Sequence, residues 1–370
     1  MQNAREILKC RSLLGSSCNC MIDKQLNKYF SGNVKNILEK EKIIHHYRKL
    51  HPWKSQESFS KYLLKNVLYN KDGLVAINKP YGISPKMSNI INKRDPNIYT
   101  KVLNGVDYTL DNSMEFIAKE LGYSELVIVK APEKFMSGVT LLAANDTVQK
   151  AINSSYIKSI GKNILNKTYW IITVRVPNQI KGDEHLCMRK QFNSSRSQSK
   201  IVIDDKWSKN AEKRRAIKIL NVQFKVISNS TKNLSSLIEI KASTIKWHAL
   251  RLYASTRLYA PILGDNLYGS RIHNVAGKWL LVNPFSEVTN YLPTISPELL
   301  EILYLNKAKQ ELIPCHIHAR SVFLPNISGK ESLTIEAPLI SPFDWTCKQL
   351  QFKNIPELEE STKCKVSLQA

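Results

Sequence analysis

The sequence predicts an α+β protein: a mainly antiparallel mixed sheet flanked by helices. Three observations lead there. Strand-like runs such as "NKTYWIITVRVP" (166–177) alternate and are rich in β-branched and aromatic residues. Amphipathic segments such as "LDNSMEFIAKELGY" (110–123) end on glycine. Tight turn signals, beginning with Asp72-Gly73, punctuate the strands, and no internal repeat is visible.

Along the chain, residues 1–30 carry Arg5, Lys9, Arg11, Lys24 and Lys28 against Glu6 and Asp23, with serines and no apolar run for secretion. This is a loose match to a mitochondrial targeting segment. Residues 31–69 form a basic helical extension, with Ile37, Leu38, Ile43 and Ile44 near helical spacing. Pro52 and "KSQES" break its pattern. The compact domain starts near residue 70, with the Asp-Gly turn, the strand Leu74 to Ile77 and a Pro/Gly turn. A helix closed by Gly122, the strand "ELVIVK" and the apolar "MSGVTLLAAN" follow, and Asp146 is placed to N-cap the helix "TVQKAINSSYIKSI".

Beyond the strand at 166–177, residues 181–218 hold eleven Lys and Arg against five Asp and Glu, as a charged loop or hairpin extension. Strands resume at "RAIKILNVQFKVIS" and "SLIEIKAST". "WHALRLYASTR" reads as a helix and "PILGDNLYG" as a glycine-rich turn. Residues 270–313 are an insertion whose helix "SPELLEILYLNKAKQ" places Ser296, Pro297 and Glu298 at N-cap, first position and first turn. "CHIHARSVFLP" and "SLTIEAPL" are the last strands of a domain ending near 342. The polar tail 343–370 is expected to be poorly ordered.

Charge narrows the partner. The 370 residues include 54 Lys and Arg against 31 Asp and Glu, a formal +23 that points to nucleic acid before a merely solvated basic surface. The 7 cysteines are scattered, without a CxxC pair, as in a reducing compartment. Cys18 and Cys20 lack a second pair at zinc spacing, so no metal is assigned. No apolar run is long enough to span a bilayer, which argues against membrane insertion. No phosphate loop or nucleophile elbow is present.

Four stretches carry the functional reading: "INKPYG" (77–82), "KAPEKFMSGVTLLA" (130–143), "NKTYWIITVRVP" and "HALRLYASTRLYAPILGDNLYG" (248–269). "IHA" (317–319) and "LTIEAPL" (333–339) support them. In order and spacing they resemble the RluA-type RNA pseudouridine synthases over roughly residues 70–342, and the altered second stretch looks like the mitochondrial branch. The resemblance implies the pseudouridine synthase catalytic fold, a mitochondrial matrix location and cofactor-free, metal-free isomerisation of uridine in structured or single-stranded ribosomal or messenger RNA. It also implies the company of mitochondrial RNA-processing or ribosome-assembly proteins.

Ser137 and Gly138 fix the alignment. Glu133 then stands where the family has its essential Asp, Lys130 at its His, Ala131 at its Arg, Pro132 at its Leu and Met136 at its Thr. Tyr169 matches the Tyr that stacks on the uracil, and Arg251 the Arg that pairs with the carboxylate. Lys79, Lys130, Lys134 and Lys246 are the candidate RNA contacts, although the turn holding Lys79 reads equally as a strand end.

The residue types suit the task. A carboxylate beside a guanidinium stays ionised and oriented as nucleophile or base. A tyrosine offers a flat face and a hydroxyl. Asp265 reads as a turn or cap residue, and His316 and His318 as packing. Two outcomes stay open: a working synthase using Glu133, or a catalytically silent RNA-binding homologue supporting ribosomal RNA stability or ribosome assembly. Glu has nearly the same intrinsic pKa as Asp, but its extra methylene moves the carboxylate by about 1 Å, enough to cost on the order of a hundredfold.

Overall fold

The computed structural model describes residues 44–86, 106–329 and 331–357. The expected targeting segment, the first part of the basic extension (31–43) and the end of the tail lie outside them. The chain divides into Met1–Lys49 and Leu50–Ala370. In the first unit the described residues hold one 3-10 turn, His46–Arg48, capped by His45 Nδ1 accepting from Tyr47 N at 3.1 Å.

The second unit opens with α1 (Gln56–Lys65). Ser55 caps it, its hydroxyl and that of Ser58 each accepting the other's backbone N–H, so "KSQES" starts a helix where only a break was expected. Phe59 and Leu63 on α1 are buried with Val75, Ile77 and Ile117. Packing therefore starts well before residue 70, because a short helix with a polar outer face still buries one stripe.

Strands β1 (Val67–Lys71), β2 (Leu74–Lys79), β3 (Val127–Lys130) and β4 (Ser137–Ala143) come from the first half of this unit. With them are α2 (Met114–Glu120) and α3 (Asp146–Gly161). The cap of α3 is Asn145, whose side chain accepts from Val148 N, so the expected Asp146 is instead the first helical residue. Next come β5 (Lys167–Ile172), β6 (Lys181–Phe192), β7 (Ser199–Asp204), α4 (Lys209–Lys213), β8 (Ile217–Asn229) and β9 (Ser236–Ala242). The charged 181–218 stretch is thus a long hairpin with a short helix.

After α5 (Ala249–Thr256), the insertion forms a separate hairpin from β10 (Ile272–Val275) and β11 (Lys278–Leu281). Its helix α6 (Pro297–Ile302) is capped by Ser296 as expected but stops early. Tyr304 takes a φ of 56°, and Asn306 caps a new 3-10 turn at Lys307–Leu312. The chain closes with β12 (Ile317–Ser328), β13 (Glu331–Glu336) and α7 (Phe343–Gln349). That last helix overturns the expectation of a disordered tail as far as residue 357. Its Phe343, Thr346 and Cys347 are buried, as are Leu350, Phe352 and Ile355 beyond it.

Eleven strands make one sheet in the order β1-β2-β4-β12-β5-β9-β8-β6-β7, with β3 on β4 and β13 on β12. Every pairing is antiparallel except β4 with β12. The mixed, mainly antiparallel sheet is the predicted one. Its centre is fixed by Gly138, at φ +113°, where a Cβ would lie 2.2 Å from the Ala319 carbonyl oxygen. Ala319 pairs with Gly138 on one side and with Tyr169 on the other. The distance between the Glu133 loop and Tyr169 is therefore set by backbone.

Candidate active site

Residues 131–136 leave β3 and turn into β4. Glu133 O accepts from Met136 N, which closes the turn, and Lys134 O accepts from Gly82 N, which ties it to "KPYG". Lys79 makes the second tie. Its ammonium donates to Met136 O at 2.6 Å, Ile83 O at 2.9 Å and Pro80 O at 3.1 Å. Burial pushes its pKa down to about 7, with Lys134 adding to the shift. Lys79 was expected to touch RNA, and the structure corrects this: it is fully buried and braces the loop from within.

Glu133 is about one-third exposed, and its Oε2 lies 3.3 Å from His248 Nδ1. Both atoms are shielded from solvent, yet neither has an aligned hydrogen-bond partner among the described residues. His248 reaches this place through an unusual backbone: Trp247 and His248 both sit in the left-handed region, at φ 59° and 55°, ahead of α5. Non-glycine residues there cost about 1–3 kcal/mol each, a strain that clusters at active sites.

Arg251 is on α5, one turn after His248, and is 2% exposed. Its Nε and Nη2 donate to Asp265 Oδ1 at 2.9 and 2.5 Å. Burial works against the guanidinium charge, but Asp265 outweighs it and holds Arg251 cationic. The same oxygen accepts from Leu267 N and Tyr268 N, so Asp265 caps a turn and also neutralises the arginine. The expected partner for Arg251 was Glu133. The ion-pair partner in the structure is Asp265, because the turn brings that carboxylate fully inside the core beside the helix. The guanidinium lies 4.7 Å from the Phe135 ring and 5.9 Å from that of Tyr268. The Phe135 and His248 rings are themselves 5.4 Å apart.

Tyr169 is buried on β5 in the core shared by Tyr81, Phe135, Met136 and Ile317. Burial drives its phenol pKa well up, with Tyr156 and the Glu133 carboxylate adding to the rise. The hydroxyl is protonated at neutral pH, so it can donate a proton or a hydrogen bond rather than act as a resting base. Beside it opens a narrow cleft lined by Lys130, Ala131, Pro132, Tyr156 and Lys167. Lys130 and Lys167 lie over the Tyr156 ring, at 5.2 and 4.9 Å from its centre. Lys134, on the 131–136 loop, and Lys246, in the turn before α5, are exposed.

His316 and His318 are buried. Nδ1 of His318 lies 2.9 Å from Ser137 Oγ, and Nε2 of His316 lies 2.7 Å from Thr346 Oγ1. Burial pushes both pKa values down to about 4, so both are neutral packing residues. Among the described residues, no group of three or more His, Cys, Asp or Glu is arranged to hold a metal ion.

Sequence reasoning passed over His248, Lys167, Tyr156 and Asp265's pairing role. Two had a signal: His248 precedes Arg251 by one helical turn, and Lys167 precedes Tyr169 by two positions on the same strand face.

No protein-family model matches the chain. It is 26% identical over 291 residues to the mitochondrial pseudouridylate synthase RPUSD4 of Homo sapiens, covering 76% of this chain and 67% of the relative. It is 23% identical over 298 residues to the mitochondrial mRNA pseudouridine synthase Rpusd3 of Mus musculus, covering 80% of each. The structure of human RNA pseudouridylate synthase domain containing 4 superimposes with a TM-score of 0.57 at 22% identity, over 80% of this chain and 96% of that one. The fold is therefore shared from end to end of that domain. Together with the motif register around Gly138, Tyr169 and Arg251, these likenesses agree with the resemblance to the RluA-type RNA pseudouridine synthases read from the sequence.

Proposed function

We propose that this protein isomerises uridine to pseudouridine in mitochondrial ribosomal or messenger RNA, using Glu133 as the reacting carboxylate. The observation that carries the proposal is the Glu133 Oε2 atom, shielded from solvent without an aligned hydrogen-bond donor and close enough to Tyr169 to raise its phenol pKa. The names of the relatives, a mitochondrial pseudouridylate synthase and a mitochondrial mRNA pseudouridine synthase, supply the substrate class and compartment.

A uridine extruded from its stack lies against the Tyr169 ring. The N1–C1′ bond breaks with Glu133 as nucleophile or base, the uracil turns, C5–C1′ forms, and the C5 proton departs while N1 regains one. Tyr169 keeps its proton and orients the ring. Arg251, held by Asp265, supplies fixed positive charge behind Phe135. Lys130, Lys134 and Lys246 meet phosphates; Lys79 is left out of that set because it is buried. Mitochondrial RNA-processing or ribosome-assembly proteins are the expected company.

The test is tritium release from C5-tritiated uridine in mitochondrial RNA transcripts, with pseudouridine mapping in cells carrying wild-type, Glu133→Gln or no protein. Wild-type protein should release tritium and Glu133→Gln should not. A folded wild-type protein that binds RNA but releases none would leave the catalytically silent reading in its place.

A further inference from the structure

Beside Lys130 and Lys246, the mechanism leaves Lys167, Lys190 and Lys218 unused. Lys218 on β8 lies with its ammonium 4.0 Å from the centre of the Trp247 ring. Trp247 follows Lys246, which follows Ile245, a residue lining the cleft that holds Lys167 and Lys130 over Tyr156. Both lysine clusters are thus seated on aromatic rings, within the roughly 6 Å reach at which a ring face attracts a cation.

These lysines also feel one another. Lys218 has its pKa lowered by partial burial and then by Lys246 and Lys190. Lys167 is pushed down to about 8 by burial, then by Lys130 and Lys246. No carboxylate contributes at either position, and among the described residues none of the five takes part in an ion pair. A solvated basic surface interleaves its charges with acids or spaces them apart. Five like charges kept close enough to repel, two of them partly desolvated, are retained at a cost that only an external anion removes.

We propose that Lys190, Lys218, Lys246, Lys167 and Lys130 form one phosphate track that leads the RNA strand carrying the target nucleotide from the β6–β8 hairpin into the cleft beside Tyr169. This rests on the reading of the site as one acting on RNA. The track departs from the expected contacts by adding β5, β6 and β8, and it gives the hairpin a task. Trp247 and Tyr156 act as positioning residues that hold the ammonium groups in line.

The experiment compares full-length wild-type protein, the triple variant Lys190→Gln, Lys218→Gln, Lys246→Gln, and Glu133→Gln. Each is titrated with a labelled single-stranded RNA from 50 to 200 mM salt, with thermal melting to confirm folding. Each phosphate contact on a single strand contributes about 0.7 to the slope of log affinity against log salt, so the triple variant should lose roughly 2. Over that fourfold salt range this is a ~16-fold smaller loss of affinity than wild type shows. Glu133→Gln should keep the wild-type slope. An unchanged slope in a folded triple variant overturns the track, and so does an equal slope change on duplex DNA of the same length. Because the readout is binding, a wild type without tritium release would refute the proposed catalysis and leave this result standing.

Discussion

Two carboxylates near the site should behave in opposite ways when neutralised. Asp265 is fully buried and is the counter-ion of an arginine that is itself 2% exposed. Removing one partner of a buried pair leaves an uncompensated charge, at a cost of about 3–5 kcal/mol. Asp265→Ala also strips the acceptor from two backbone N–H groups, Leu267 at 3.0 Å and Tyr268 at 3.1 Å, each worth about 1 kcal/mol. Asp265→Asn keeps an oxygen for those donors and loses only the charge. The expected losses are therefore about 5 kcal/mol for alanine and about 3 for asparagine. Glu133, one-third exposed beside His248, should cost under about 1 kcal/mol on change to Gln.

Urea unfolding of the variants, compared at constant m, measures this directly. A double variant sharpens it: Arg251→Met with Asp265→Asn removes the stranded charge and should recover most of what Asp265→Asn alone loses. The pairing described for Arg251 would be wrong if Glu133→Gln destabilised as much as Asp265→Asn, or if the double variant were no more stable than Asp265→Asn.

Glu133→Asp should lower tritium release about a hundredfold rather than raise it, since the turn is built for the longer side chain and the carboxylate retreats by about 1 Å or more; equal or faster release would refute that fit. Gly138→Ala should abolish soluble folded protein, checked by expression and circular dichroism, because its Cβ would lie 2.2 Å from a backbone oxygen that cannot move without Tyr169's strand. Stability should fall with pH between about 6.5 and 4. There the unfolded chain protonates His316 and His318 while the folded one, with pKa values of about 4, does not. Each can contribute on the order of 3 kcal/mol by pH 4. A variant with both changed to Gln should show a flatter urea-midpoint profile across that window.

Features that depend on local backbone demands were readable in the sequence. Ser137-Gly138 fixed the register because only glycine permits the approach to Ala319, and the alternation around Tyr169 put that ring on a strand. The tail was misjudged because its composition is polar, whereas folding needs only the few side chains that α7 buries, among them Phe343, at 6.0 Å from the His316 ring. Lys79 was misplaced for a related reason. A lysine is assigned to solvent by default, and nothing in "INKPYG" reveals that three carbonyls from two separate loops converge on it. The Arg251–Asp265 pair spans 14 residues and a turn, beyond any helical or strand periodicity.

The positions that depart from the family motif share one physical property. Ala131 and Pro132 line the open cleft, and Glu133 projects from the loop tip, while the ties holding that loop run through backbone oxygens of Glu133, Lys134 and Met136. Backbone ties are indifferent to which side chain the residue carries, so the tip can change its chemistry without loosening its frame. That explains how a motif can lose an arginine at Ala131 and still sit in register with Tyr169. The lost cation has neighbours able to replace it, because Lys167 from β5 and Lys130 from β3 converge over Tyr156 on the same cleft. The longer carboxylate has a new neighbour too, in a His248 whose backbone is strained into place. Ammonium groups thus stand beside the altered residues Ala131 and Pro132, while the frame beneath them is held by backbone.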